Sequence, residues 1–437
     1  NSIAFFLPTM YLDHITLKNL KGFKNLSFSL VRPDGSYAGW TVFTGDNGSG
    51  KSTLLKAIAI GLVGRDVARS LQPSFHRWIS EGSEQEAATI ELTLVPEREV
   101  DEYLQGGRTS YSPFPAAIHL KPVGTDALLE EGVSKKKMTA VQRGPWSAQA
   151  RGWFSCGYGP FRRVFGASPE ATRLMVGPMT ERYVTMFQEA ASLFEVDQWL
   201  RSLNHKKLEQ KQPEAQLLDL LLEILRDDLM PNQITIDRVD SDGLWLRDRN
   251  GLQLAWSEMS DGYRAALALL ADILRHLVNA YGFDGLAERD ANGKLRVVRP
   301  GVVMIDEIDA HLHPEWQQQI GFWLKAHFPK IQFLVTTHSP IICQAADPNG
   351  LFVLPEPGSA QEPRALSDEE YRRIIASRPD TILLTSAFGL QNTRSPRAVE
   401  ARAAYARLAT KRRAGATLSA EENQAMAQLQ LFVTDEE

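Results

Sequence analysis

The chain has 437 residues, 43% of them hydrophobic and 23% charged, which supplies a large core and excludes wholesale disorder. A net charge of −5 excludes a chain that is basic overall, so any nucleic-acid contact must come from local patches. The two cysteines, Cys156 and Cys343, form neither a zinc spacing nor a disulfide framework, and no apolar run approaches a membrane span, so the expected setting is a reducing cytoplasm without membrane contact.

Met10 stands just before the first patterned segment, and residues 1–10 read as upstream sequence outside the fold. Ile3 to Leu7 is too short for a signal peptide and lacks a basic flank. Tyr11 to Leu20 alternates apolar and polar residues, as a half-buried strand does; Lys21-Gly22 marks a turn, and Phe23 to Leu30 reads as a second strand. After the turn at Pro33 to Ser36, Trp40 to Thr44 reads as a short buried strand. It runs into Gly45-Asp46-Asn47-Gly48-Ser49-Gly50-Lys51-Ser52, which satisfies G-x-x-x-x-G-K-[ST] at every fixed position, and Thr53 to Ile60 reads as a helix. Strand, glycine-rich turn and helix is the arrangement a phosphate-binding loop needs. The glycines let backbone N–H groups turn inward, and the helix start adds a positive dipole end. Gly45 through Thr53 are therefore candidate ATP contacts, with Lys51 on the β- and γ-phosphates and Ser52 on Mg²⁺.

Thr89 to Val95 alternates cleanly and predicts another strand, whereas Pro96 to Gly152 predicts loops with a strand or two. A solvated surface is the simpler reading of Lys135 to Lys137 than a phosphate-backbone contact. Trp153 to Arg163 reads as a strand entering a tight turn. Ser168 to Leu229 is helix-rich, with Ser168 as a cap before Pro169, an apolar face from Leu217 to Leu225, and a stop at Pro231-Asn232. Gln233 to Val239, Leu244 to Leu246 and Leu252 to Leu254 form an antiparallel ribbon around Asp-rich turns. Ser260-Asp261-Gly262 then opens a long helix to Tyr281, where a hydroxyl and backbone N–H groups make either a plain cap or an anion site.

Val302 to Ile305 and Ile331 to Thr337 are continuous apolar runs, as buried parallel strands are, joined by a crossover helix from Pro314 to Phe328. The first ends in Asp306-Glu307, at the strand end where open parallel sheets bind ligands. Asp306 suits Mg²⁺, Glu307 suits orienting or deprotonating a water, and His338 after the second strand can donate to a γ-phosphate. His311 and His313 have the wrong spacing for a metal pair on one helix face and suit packing or a nucleotide-proximal place. Past Glu356, helices are expected at Ser367 to Ser377, Val399 to Arg413 and Ser419 to Leu431, the last with a capping box at Ser419 and Glu422. The basic residues Arg394, Arg397, Arg402, Arg407, Lys411, Arg412 and Arg413 suit either a solvated face or an acidic partner. No sustained heptad is present.

Four motifs, Lys51 with its loop, Met259-Ser260-Asp261-Gly262-Tyr263, Ile305 to Pro314, and Thr336-Thr337-His338-Ser339-Pro340, occur in the order of an ABC-type ATPase head. Together with Ile15 to Phe23 and Gly157 to Arg163 they resemble the RecF/SMC/OLD branch. Within it the chain is most similar to the AAA-family ATPases of bacterial anti-phage systems, of the Septu and retron PtuA-like kind. The resemblance covers residues 11–355 and implies an α/β P-loop NTPase fold: a core in two parts (11–165 and 233–355) with an antiparallel β subdomain, a helical insertion (166–232) and a helical tail (356–437). It further implies an ATP-dependent head-to-tail homodimer, or a higher oligomer, with ATP between Lys51 of one copy and Ser260, Asp261 and Gly262 of the other. His338 would sense the γ-phosphate, and an HNH-type effector nuclease and DNA are the implied partners. Two departures stand out: Asp261 and Tyr263 replace a glycine and a glutamine of the family signature. Gln142 is the candidate for the glutamine of the core-to-helical loop. The alternatives are a RecF-like DNA repair clamp and a self-contained OLD-like ATPase–nuclease. The second would need a nuclease pattern after Glu356, an apolar strand ending in glutamate with a later D-x-D, which is not seen there. A transporter subunit is disfavoured by the Tyr281 to Pro300 insertion, and GTP by the lack of Asn-Lys-x-Asp.

Overall fold

The computed structural model describes residues 10–430 except 84, 98–99, 105–106, 109–111, 133–139, 165, 167, 175–176, 228, 231–232 and 357–362. The expectations for residues 1–9, for Lys135 to Lys137 and for the stop at Pro231-Asn232 lie outside the described residues. Two compact units divide the chain, Asn1–Ser377 and Arg378–Glu437.

In chain order the first unit contains β1 (Tyr11–Leu20), β2 (Phe23–Ser29), β3 (Gly39–Thr44), α1 (Lys51–Leu71), β4 (Ala88–Val95), β5 (Phe114–Val123), β6 (Asp126–Glu131) and β7 (Ser155–Tyr158). Then come α2 (Glu195–Leu208), α3 (Gln212–Arg226), the ribbon β8 (Thr235–Asp240), β9 (Gly243–Arg247) and β10 (Gln253–Ala255), and α4 (Asp261–Tyr281). The core closes with β11 (Gly301–Ile305), α5 (Pro314–His327), β12 (Ile331–Thr336), β13 (Leu351–Val353) and the edge strand β14 (Arg364–Ala365).

The alternating segments assemble an antiparallel sheet in the order β2-β1-β4-β5-β6. Their period of two puts one face in the core, where Ile15, Leu17, Ile90 and Leu92 are buried. The region from residue 96 to 152 supplies the β5–β6 hairpin, turned at Gly124 (φ 61°). The continuous apolar runs form the second sheet, β14-β13-β3-β12-β11-β7, parallel except at its β14 edge. Its register sets Ile305 beside Val335, Val335 beside Val42, and Ile305 beside Tyr158. Phosphate loop, acid pair and the segment after β12 therefore leave the sheet at one edge, because parallel strands in register all end on the same side.

Helix α1 shares one buried cluster with residues of both sheets, including Ile58, Leu92 and Leu334. It continues beyond the expected Ile60 to Leu71, with Gly61 inside the helix and a kink at Gly64. A Cβ at Gly61 would lie 2.5 Å from the Leu92 side chain. Gly64 is non-helical (φ 78°), and the Trp146 indole N–H, at 2.9 Å, takes the Gly61 carbonyl beside this break.

The second unit holds the helices Pro379–Leu383, Pro396–Arg413 and Ala420–Gln430. Ser419 and Glu422 form the reciprocal cap expected from the sequence, at 3.1 and 2.8 Å, and Lys411 pairs with Glu422 at 2.6 Å.

Candidate nucleotide-binding and hydrolysis site

The phosphate loop takes its shape from three glycines in backbone regions closed to other residues: Gly45 (φ 143°), Gly48 (φ 84°) and Gly50 (φ 91°). A Cβ on Gly50 would meet the Phe23 ring at 2.6 Å, so the β1–β2 hairpin presses directly on the loop. Lys51 is 6% exposed, and its Nζ donates to the carbonyls of Gly45 (2.8 Å) and Asp46 (2.9 Å). Asp46, Asn47 and Gly48 are exposed, while Ser52 and Thr53 are half-buried on the first turn of α1. The first N–H groups of a helix have no intrahelical acceptor, and the cap residue Gly50 brings no side chain to serve them. Beside them the Ser49 hydroxyl is buried without a hydrogen-bond partner. Free backbone donors, an ammonium group and an orphaned buried hydroxyl around a glycine cradle fit a polyphosphate.

Asp306 is 2% exposed at the end of β11. Thr336 Oγ1 donates to Asp306 Oδ1 at 2.5 Å and accepts the Glu307 N–H at 2.7 Å, and the Ile308 N–H reaches the Thr336 carbonyl at 3.1 Å. Glu307 itself adopts a left-handed backbone (φ 46°). Burial lowers the Lys51 ammonium below its ordinary pKa, while the Asp306 and Glu307 carboxylates act on it in the opposite sense. His338 is exposed; the preceding Thr337 N–H bonds the Phe43 carbonyl at 3.3 Å, which sets His338 beside the strand that feeds the phosphate loop. Thr337 Oγ1 also donates to Asp309 at 2.5 Å and receives the Ser339 N–H at 2.9 Å.

The Ser260 segment lies elsewhere. Ser260 is exposed at the cap position of α4, and its side chain makes no cap bond, unlike the plain N-cap that the sequence allowed. Asp261 pairs with Arg264. A Cβ on Gly262 would stand 2.1 Å from the His311 carbonyl, and the Tyr263 ring packs 5.1 Å from Trp316. Ser260, Gly262, Tyr263 and Trp316 bound a cleft of about 430 Å³ with His311 to His313. His313 caps α5, its Nδ1 accepting the Glu315 N–H at 3.4 Å. Gln142 bonds Glu131 of β6 at 3.1 Å on the exposed face of the antiparallel sheet. The chain thus gathers Lys51, Ser52, Asp306, Glu307 and His338 at one sheet edge and sets Ser260, Asp261 and Gly262 against its own His311 loop.

Residue-by-residue reading missed Thr336, whose one trace is a pair of threonines closing an apolar strand. It also missed a buried charge network that ties α4 to β7. Asp272 accepts from the Tyr158 hydroxyl at 3.0 Å and pairs with Arg275 at 2.9 Å and His276 at 3.1 Å; Arg275 continues to Glu195 at 3.1 Å and Glu181 at 3.3 Å. Burial alone would raise the Asp272 carboxyl, but His276 and Arg275 outweigh it and hold it well below the usual carboxylate range. Its contribution is present above its unfolded value, about pH 4, and is lost as pH falls through the lower folded value. Asp272→Ala is expected to cost about 3 kcal/mol, because buried Arg275, His276 and the Tyr158 hydroxyl all lose the carboxylate they share, although Arg275 keeps Glu195 and Glu181. Urea unfolding at pH 7 checks this, and a loss below about 0.5 kcal/mol, the range of surface changes, would refute it.

Two family models match the chain: an AAA domain over residues 14–138, and the family described as AAA domain, putative AbiEii toxin, Type IV TA system, over residues 177–344. Septu protein PtuA of Bacillus mycoides (strain KBAB4) is 25% identical over 396 residues, which is 88% of this chain and 45% of that protein. The Retron Ec83 probable ATPase of Escherichia coli is 40% identical over 107 residues, covering 24% of this chain and 18% of that protein. Among solved structures, an SMC head bound to the C-winged helix domain of ScpA aligns with a TM-score of 0.48 and 17% identity, covering 82% of this chain and 99% of that one. The chain spans less than half the length of the curated relatives it matches. AAA-domain models thus match both halves of the core, the phosphate loop and the acid pair lie at one sheet edge, and the chain is similar to the Septu and retron ATPases.

Proposed function

We propose that this chain binds and hydrolyses ATP in a head-to-tail homodimer and through that cycle controls a partner effector, an HNH-type nuclease, in anti-phage defence. The observation that carries the dimer is the separation of the two half-sites: Lys51, Asp306 and Glu307 share a sheet edge, whereas Ser260 and Gly262 sit exposed or half-exposed against the chain's own His311 loop. A second copy, turned head to tail, brings its Ser260 hydroxyl and α4 N-terminus over the first copy's phosphate loop. The nuclease partner and the defence role rest on the similarity to the Septu and retron ATPases.

In this reading the β- and γ-phosphates lie on Lys51 and the N–H groups from Gly48 to Thr53, and His338 donates to the γ-phosphate. Ser52 and Asp306 would hold Mg²⁺, which when bound neutralises charge on the phosphate oxygens. Glu307 accepts a proton from the water whose oxygen attacks the γ-phosphorus; the bond to the bridging oxygen breaks and ADP leaves.

The test is the mass of the purified chain with and without ATP, followed by capture from its native host. A monomer that doubles in mass with ATP and brings down an HNH-type nuclease supports the reading. An ATP-dependent dimer that retains DNA and no nuclease moves the function to a RecF-like clamp; a mass that stays monomeric with ATP removes the dimer, and a dimer without ATP removes its dependence on ATP.

A further inference from the structure

We propose that Arg162 is a positioning residue for hydrolysis: its guanidinium holds the main chain from Asp306 to Ala310 and thereby sets the place of Glu307. The inference deepens the ATPase reading above and rests on it.

Arg162 follows β7, which lies in parallel register beside β11, so the turn after β7 underlies the loop that carries the acid pair. Its side chain is buried, the whole residue being 5% exposed. Nη1 donates to the carbonyls of Asp306 (2.8 Å) and Gly159 (3.2 Å); Nη2 donates to those of Glu307 (3.1 Å), Ile308 (3.3 Å) and Ala310 (3.2 Å). Two terminal nitrogens thus collect five carbonyls, four of them from the stretch that bends around the guanidinium. Support from the other side comes from β12, where Thr336 takes the N–H groups of Glu307 and Ile308. Arg162 serves the carbonyls of this loop and Thr336 its amides.

The bend needs such a clamp. Glu307 is left-handed at φ 46° and His311 at φ 67°, conformations a side chain-bearing residue keeps only when its surroundings enforce them. The same stretch then delivers the His311 carbonyl against Gly262. All five bonds of Arg162 go to main-chain oxygens, so it acts through the loop rather than on the reacting atoms. A planar fork can bridge several carbonyls at once, whereas a lysine ammonium is a point donor that cannot span them.

A clamp on Glu307 and a general fold support predict different kinetics. The 437-residue chain, Arg162→Lys and Arg162→Gln are compared for kcat and KM of ATP hydrolysis, for equilibrium binding of a fluorescent ATP analogue, and for thermal unfolding. Arg162→Lys is also placed on Glu307→Gln. The expected result is a kcat lower by at least about tenfold in both variants, since small displacements of a reacting group have effects of this order. KM and analogue affinity stay within about twofold, the signature of an interaction used only in the transition state. On Glu307→Gln, the lysine change slows the residual rate by less than about twofold, because the group it positions is already gone. The inference is overturned by an Arg162→Lys variant with unaltered kcat, by a loss of analogue binding in step with kcat and with unfolding temperature, or by a full tenfold effect on the Glu307→Gln background. If Arg162→Gln fails to fold, the lysine variant decides alone; if neither folds, Arg162 is a fold support and the inference is wrong. A parent chain that does not hydrolyse ATP removes the ATPase reading and this inference with it. A hydrolysing parent beside an equally fast lysine variant removes only the inference.

Discussion

Replacing Glu307 with glutamine is expected to leave ATP binding intact, slow hydrolysis by about 10²–10⁴-fold, and accumulate the ATP-bound dimer. The substitution keeps the shape of the side chain and every main-chain bond of the loop: the N–H to Thr336, the carbonyl to Arg162 and the left-handed φ of 46°. Only the ability to take a proton is lost. Binding is carried by the phosphate loop, where Lys51, not Glu307, reaches the Gly45 and Asp46 carbonyls. Single-turnover hydrolysis and light scattering with ATP measure the two effects separately. A variant that hydrolyses at the parental rate would show that another group takes the proton. One that binds ATP poorly would place Glu307 in the binding machinery.

Lys51→Ala is expected to weaken ATP binding by about 10²–10³-fold, roughly 3–4 kcal/mol, with hydrolysis lost at any practical ATP concentration. Lys51 is the one ammonium group anchored inside the loop, bonded to carbonyls at both of its first two residues. Truncation therefore removes the charge that, in the proposed reading, faces the β- and γ-phosphates, and releases the loop carbonyls it gathers. The fold should persist, since α1 keeps Leu54, Leu55 and Ile58 in the core and alanine favours helix. Calorimetric titration with ATP, checked against an unchanged far-ultraviolet spectrum, decides it; retained tight binding would mean that phosphate lies elsewhere. Together the two variants divide the site between capture, at the helix start, and chemistry, at the acid pair.

How far these sites were readable along the chain depends on the separation of the groups that make them. The phosphate loop needs only contiguous residues: glycines at set offsets, a lysine and a helix start, between a strand and a helix that declare themselves by their own apolar patterns. Val302 to Ile305 and Ile331 to Thr336 are likewise self-evident, because a strand covered on both faces has no polar period to hide. The Ser419 cap spans four residues and was legible for the same reason. Where local signals carry more than one meaning, the reading stopped short. Pro115, Pro122 and Gly124 obscure the β5–β6 hairpin. The helix read to Ile60 runs on past Gly61, which makes room for Leu92, and kinks at Gly64 beside Trp146.

The sequence by itself determined the chemistry class, since a phosphate loop followed by a buried strand ending in Asp306-Glu307 has few other uses. It could not determine what holds that chemistry in place. Arg162 lies 144 to 148 residues before most of its acceptors, Thr336 lies 30 residues from Asp306, and Tyr158 lies 114 from Asp272. Main-chain carbonyls are the same in every residue, so a side chain that serves them leaves no pattern in the sequence of its partners. Only the parallel register that puts β7 beside β11 and β11 beside β12 brings Arg162 and Thr336 within range of the Asp306 loop, and only the packing of α4 on β7 brings Asp272 to Tyr158. Local periodicity states which face of an element is buried; the neighbour that covers it is decided by the tertiary fold.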